Sequence, residues 1–318
     1  MKTTVQCAAL AMTLALAGSG AAAAQSTATT GTETRQANDA AWLSDLQNWR
    51  SAHERALAAP DGWLTMIGLE WLKPGVNTMG AAADNKIQIH AEVPAHLGML
   101  TLMGQTVQLL APAGGFPAGF ETDGRAPREG ELHTGDTNAT RMSWHGLSLV
   151  VHRRGDGFVL RMDDANSPTR SHFHGLNWYA PDARDRVLAR WIPYKPAQVE
   201  TIPTVLGKPL GMTAPGVVVF MLDGKVAILE PVLEGGDTHS LFFILSDTTN
   251  GKTTYAYGRY MKTGLPDHGL SEPGNLVLDF NRLYNPACAY TRFATCPMPP
   301  KKNRLPIAIE AGEKLYTP

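Results

Sequence analysis

Cysteine is scarce in this chain: three in 318 residues, at positions 7, 288 and 296. A zinc clip built on Cys288 and Cys296 would need two further ligands, and no histidine lies beyond His268. An excess of either charge is also missing. Twenty-eight Lys and Arg face 29 Asp and Glu, a net charge of -1, so the basic patch or stripe that a nucleic acid asks for is not there. After the first two dozen residues no apolar run approaches the roughly 20 residues of a spanning helix, which excludes a helical membrane span from the sequence reading. No G-x-S-x-G elbow, G-x-G-x-x-G or P-loop occurs, leaving serine-hydrolase and nucleotide chemistry without a motif. No cofactor and no metal are expected.

What is present begins with "MKTTVQCAALAMTLALAGSGAAAAQS". Lys2, an apolar core through Leu16 and the small-residue pattern Ala22-x-Ala24 make a secretory signal peptide over 1–24. Cys7 precedes most of the apolar run, which argues against a lipoprotein anchor. The expected location is therefore periplasmic or secreted. The about 290 residues that remain allow one large domain or two modest ones. In an oxidising compartment the remaining cysteines, Cys288 and Cys296, are expected to close a disulfide. A thiolate nucleophile would need reducing conditions and a nearby base.

Thirty-one glycines, 22 prolines and few long charged helical runs favour a β-rich chain. Residues 25–37 are rich in Ser and Thr without apolar periodicity, the pattern of a disordered leader. Trp42, Leu46, Trp49 and His53 then recur at three- and four-residue steps before Pro60-Asp61-Gly62, predicting a helix over 39–58. Short apolar runs between turn residues make 38–165 an N-terminal helix with a first β unit, and 166–318 a second β unit ending in a stapled loop. The fold class is mainly β: an antiparallel sandwich or partly closed barrel, one N-terminal helix and a long C-terminal loop segment.

In the second unit, "SLFFILSDTTNGKTTYAYGRYM" reads as a hairpin turning at Asn250-Gly251. Tyr255, Tyr257 and Arg259 would share one face of its second strand. If "NLVLDFN" pairs beside that strand, Arg259 meets Asp279, a charge-assisted contact that a one-residue slip would break. Asp279, Arg259 and Asn281 are thus the candidate catalytic residues. Tyr255, Tyr257, Tyr284, Asn285, Asn303 and Arg304 are the candidate ligand-binding residues. The Asp-x-Asn-x-x-x-Asn spacing from Asp279 lacks the glycine and distal glutamate of a calcium loop. His172 and His174 would share a strand face, but no third ligand is fixed and no metal is assigned. Glu70 lies between Trp63 and Trp71, an arrangement that shelters a sugar or, more often, packs a core. Arg153, Arg154 and Arg161 form a basic cluster that Asp156, Asp163 and Asp164 can neutralise.

The blocks "DGWLTMIGLEWLKPG", "DTTNGKTTYAYGRYM" and "DFNRLYNPACAYTRFATCPMPPKKNRLPIAIEAGEK" resemble a bacterial family catalogued only as domain of unknown function 1684. Among the matching positions are Arg259, Asp279, Asn281, Tyr284, Asn285, Cys288, Cys296, Asn303, Arg304, Gly312 and Glu313. The resemblance implies no reaction. It includes members without export signals that keep both cysteines, which leaves a reduced pair open. Two expectations follow. In one, the protein is an exported hydrolase of a small polar or anionic molecule. In the other, it is a non-catalytic binding or envelope-maintenance protein in which the same residues are structural.

Overall fold

The structure is a computed structural model that describes residues 20–135, 137–205 and 208–317, with side chains from Asn38 onward. Most of the signal peptide expected at 1–24 therefore lies outside the described residues. The chain divides into two units, Met1–Gln47 and Asn48–Pro318. The described part of the first is helix throughout. Helix α1 spans Gly20–Leu57, so it takes in the 25–37 stretch read as a leader; the alanines at 21–24 and the absence of proline suit a helical backbone. Its last turns, from Asn48, belong to the second unit.

That second unit is mainly β and antiparallel, in several sheets with no closed barrel. Its first strands are β1 (Met66–Trp71), β2 (Gly75–Gly80), β3 (Ile87–Gln88), β4 (Gly98–Met103) and β5 (Thr106–Leu110). They continue with β6 (Glu121–Thr122), β7 (Gly130–Glu131), β8 (Arg141–Trp144), β9 (Leu147–Arg154) and β10 (Gly157–Asp164). One sheet has the order β1-β10-β9-β8-β6 and the other β3-β2-β4-β5-β7. Alternation drives their packing: Met79, Leu100, Val107 and Leu109 on one sheet bury against Leu149, Val151, Phe158 and Leu160 on the other. The tight turn at His145-Gly146 joins β8 to β9 with positive φ at both residues, as a two-residue hairpin demands.

The second group comprises β11 (Arg186–Ile202), β12 (Leu210–Leu222), β13 (Lys225–Leu229), β14 (Leu241–Leu245), β15 (Arg259–Thr263) and β16 (Gly274–Asp279). β13-β12-β11-β16 form a four-stranded sheet, and β14-β15 a separate pair. The ladder of β11 with β12 shifts register between Pro193 and Gln198, where Pro193 and Pro196 offer no N–H to the partner strand. Trp191, Val218, Phe220, Leu229 and Leu278 from the larger sheet share a core with Leu241, Phe243 and Met261 from the smaller pair. Each such side chain contributes about 1.5–3 kcal/mol when fully buried.

Residues 280–317 form the long C-terminal segment expected from the sequence. This strap holds only single 3-10 turns at Phe280–Arg282, Ala287–Ala289 and Lys301–Asn303. Leu305, Ile307, Ile309 and Ala311 complete the second core. A segment without its own ladder must satisfy its backbone elsewhere, and buried side chains do so. Asn303 donates to the Glu230 and Ile244 carbonyls and accepts from Glu230 N–H. Gly312 is obligatory: φ is +76°, and a Cβ there would meet Leu283 Cβ at 2.6 Å.

Two local expectations are corrected. β14 and β15 do pair, but residues 246–258 form a long loop between them rather than a two-residue turn. The Asn250 side chain accepts from Asp247 N–H and donates to the Tyr255 carbonyl, holding that loop open. Tyr255 and Tyr257 accordingly precede the strand. His172 caps the end of the short Pro168–Ser171 helix, so His172 and His174 do not share a strand face.

Candidate functional site

Arg259 and Asp279 do not meet. β15 pairs with β14, whereas β16 pairs with β11 in a register that sets Arg186 opposite Asp279. Non-local pairing overrode the adjacency suggested by sequence order. Arg259 is fully buried and its Nη2 donates to Asp247 Oδ2 at 2.8 Å. The same guanidinium reaches the carbonyls of Ile309, Ala311 and Glu313, while Asp247 Oδ1 accepts from Thr249 N–H, Thr249 Oγ1 and Ile309 N–H. The pair ties the strap to β14–β15, which is an architectural use of both charges.

The other candidates separate. Asp279 sits 3.7 Å from both Arg186 and Arg282 and caps the Phe280–Arg282 turn through Asn281 N–H. Asn281 is buried, donating to the Asp182 carbonyl and accepting from Asp182 N–H. Tyr255 donates to the Cys288 carbonyl at 3.1 Å. Tyr257 and Arg304 line a small depression of ≈ 280 Å³ beside Asp247. Cys288 and Cys296 stand at disulfide distance, with Cα atoms 6.1 Å apart.

Tyr284 and Asn285 lead to a different place. They line a cavity of ≈ 540 Å³ together with His53, Trp63, Arg161 and Tyr290. A four-residue step on α1 sets Trp49 and His53 on one face of the helix, with Glu54 next to His53. The His53 ring stacks on Trp49 at 5.6 Å and tilts against Tyr284 at 5.2 Å. Glu54 accepts from Trp178 Nε1 at 2.9 Å, so Trp178 stands edge-on to His53. The imidazole is therefore held by rings on three sides. Its Nε2 is buried, without a hydrogen-bond partner, 3.8 Å from Glu313 Oε2.

Glu313 is the centre of this cluster. It is fully buried and accepts from Asn285 N–H at 2.8 Å, Asn285 Nδ2 at 2.7 Å and the Tyr290 hydroxyl at 2.6 Å. Three neutral donors satisfy the carboxylate, and the only neighbouring ring that can become cationic among these contacts is His53. Burial, then the Glu313 charge, pushes the Tyr290 phenol far up; burial does the same to Tyr260 and Tyr284. These phenols remain protonated donors. On the opposite wall Arg161 grips Asp163 through two hydrogen bonds of 2.8 and 2.9 Å and lies over the Trp63 ring at 4.8 Å. Arg161 is thus neutralised by Asp163 as the sequence suggested, whereas Arg153 donates to the Gly155 carbonyl and Arg154 to the Arg153 carbonyl. Trp63 and Trp71, by contrast, are 40 % and 52 % exposed and do not pack the core.

The profile of a family described as "Protein of unknown function (DUF1684)" matches residues 171–314. An uncharacterized protein of Haloarcula marismortui, solved by solution NMR, is 32 % identical over 46 % of this chain and 79 % of its own, with a TM-score of 0.39. The chain belongs to this family. No curated protein matches it. The matched residues hold Glu313, Asn285, Tyr290 and the Arg259–Asp247 knot, while His53, Trp63 and Arg161 lie outside them. The block "DGWLTMIGLEWLKPG", which resembled the family, is also outside the match.

Sequence reasoning missed Asp247, His53 and Glu313 as a working set. Two signals existed: His53 sat on the apolar stripe of the helix, and Glu313 was one of the positions matching the family's last block. Nothing in their 260-residue separation shows that they meet. Among the described residues no group of three or more His, Cys, Asp or Glu is arranged to hold a metal ion.

Proposed function

We propose that the cavity beside His53 binds a small polar or anionic molecule and hydrolyses it, with His53 as the proton acceptor for an attacking water. One observation carries the reading: an imidazole fixed by three rings, backed by a fully buried carboxylate, stands at the wall of a cavity. A ring proton on Nε2 would face Glu313, leaving Nδ1 to accept a proton; this is the orienting role a carboxylate plays beside a general base. Tyr284 and Tyr290 supply neutral donors, and Arg161 an additional cationic one for substrate oxygens. Cys296 is occupied by Cys288 and offers no thiolate, so water is the nucleophile in this scheme. The lack of a hydroxyl nucleophile hydrogen-bonded to His53 among the described residues also suits the second reading, a binding protein that performs no turnover.

We propose further that the protein works outside the cytoplasm, on the strength of the first 24 residues; a mature N-terminus other than Gln25, or retention with the cytoplasmic fraction, counts against it.

The test of the site is a panel of small chromogenic esters, amides and phosphoesters offered to the wild type and to His53→Gln. Turnover by the wild type that disappears in His53→Gln, with thermal shift by a product analogue retained, supports catalysis. Ligand-induced shift without turnover in either protein selects the binding reading. Full turnover by His53→Gln would remove His53 from the chemistry.

A further inference from the structure

The outer face of the β13-β12-β11-β16 sheet is apolar where an exposed sheet is normally polar. Antiparallel sheets that face water on one side alternate, apolar inward and polar outward. Here "GVVVFML" in β12 and "KVAIL" in β13 are apolar on both faces, the pattern of strands covered twice. The register aligns Val277 with Leu188 across β16 and β11, and Met221 with Val226 across β12 and β13. Because Arg190 pairs with Val219, Leu188 falls beside Met221, and one apolar row crosses all four strands. Its members are 47 %, 69 %, 61 % and 69 % exposed in the order Val277, Leu188, Met221, Val226. Ile228, in the next row beside Val219 and Arg190, and Ile192, in the row beyond that, are also exposed on the same face.

We propose that this face is covered by the same face of a second copy of the chain, giving a two-fold dimer of packed sheets. Six aliphatic side chains bared to this degree amount to roughly 600 Å², the top of what a monomer ordinarily shows. Together with the surrounding polar residues, the face approaches the about 800 Å² that each partner gives to a standard interface. A two-fold contact requires one patch to complement itself. This one carries both signs: Arg190 lies within it, and Arg186, Asp279 and Asp223 lie toward one end. A membrane surface is a poorer occupant, because interfacial binding draws on Trp or Phe above a Lys/Arg-rich rim. The exposed aromatics, Trp63, Trp71 and Tyr257, are on other elements.

Sedimentation velocity on the full chain from about 1 to 100 µM reads the association directly. The wild type is expected to sediment as a dimer, and Leu188→Glu as a monomer, its dissociation constant raised at least about a hundredfold by a carboxylate placed in an apolar contact. Circular dichroism confirms that the variant is folded; should it not be, Val226→Ser on the edge strand reads the same interface with a smaller increase. A wild type that stays monomeric throughout overturns the proposal. So does a dimer that survives in both variants, which would place the contact elsewhere. Flotation of a monomeric wild type with vesicles of phosphatidylethanolamine and phosphatidylglycerol would give the face to lipid instead.

Discussion

Two buried carboxylates hold the C-terminal strap, and they are neutralised in opposite ways. Asp247 faces Arg259, a permanent cation with its own carbonyl partners, and the pair is nearly inaccessible to water. Glu313 faces three neutral donors and, at 3.8 Å, an imidazole that carries charge only when protonated. The first arrangement joins a guanidinium to a carboxylate against the strap. The second sets a carboxylate behind an imidazole that lines a cavity. Burial alone therefore does not separate structure from chemistry; the kind of counter-charge does.

The comparison breaks most easily at the knot. Arg259→Met leaves Asp247 buried and unpaired, and should lower unfolding stability by roughly 3–5 kcal/mol in a urea titration. Arg259→Met with Asp247→Leu should recover much of that loss; no recovery would mean that the strap carbonyls, rather than the ion pair, need the guanidinium. Next in size is the staple beside the Glu313 cluster. Cys288→Ser with Cys296→Ser should cost about 2–3 kcal/mol by loop entropy, and the wild type should gain the mass of two hydrogens on reduction. A wild type whose mass is unmoved by reductant would show a free pair and reopen the thiolate reading.

Glu313→Gln retains the volume and removes the charge that three donors address. Its expected cost is about 1–3 kcal/mol, accompanied by loss of turnover with the ligand-induced thermal shift retained. His53→Gln should change stability by about 1 kcal/mol or less, since only ring contacts are lost, yet it should affect the cavity's chemistry as strongly as Glu313→Gln. A large stability loss in His53→Gln would move His53 to the architectural side of the comparison.

The smallest effect lies outside both clusters. Burial, followed by the charges of Asp182 and Asp223, pushes Asp185 up to about 6. A carboxyl raised in the folded state favours its protonated form, so its ionisation opposes folding increasingly as pH rises from about 4 through 6. Asp185→Asn should therefore raise the melting temperature slightly at neutral pH and leave it unchanged below pH 4, because solvent screening limits the gain at a partly exposed site. A gain that persists below about pH 4 would deny the titration.

Much of the β architecture was legible because alternation and turn residues act over a few positions. The strap was legible too, from its prolines and the lack of periodicity. The hairpin at Asn250-Gly251 was not, since the Asn250 side chain takes part in a wider loop that local turn preference does not encode. The Arg259–Asp279 contact failed for a related reason. Two strands near in sequence were assigned to one sheet, whereas β16 found its partner in β11.

By itself the sequence determined the mainly β class, the helix before Pro60, the separation of two cysteines short enough to bridge, and the membership of 171–314 in a family. Each of these depends on neighbours along the chain or on the pattern of a block. Tertiary structure alone decided that Arg259 would answer Asp247, that the buried Glu313 would stand behind His53 at a cavity wall, and that an apolar row would cross four strands facing outward. Those outcomes depend on strand order and register, which bring together side chains that no local spacing relates.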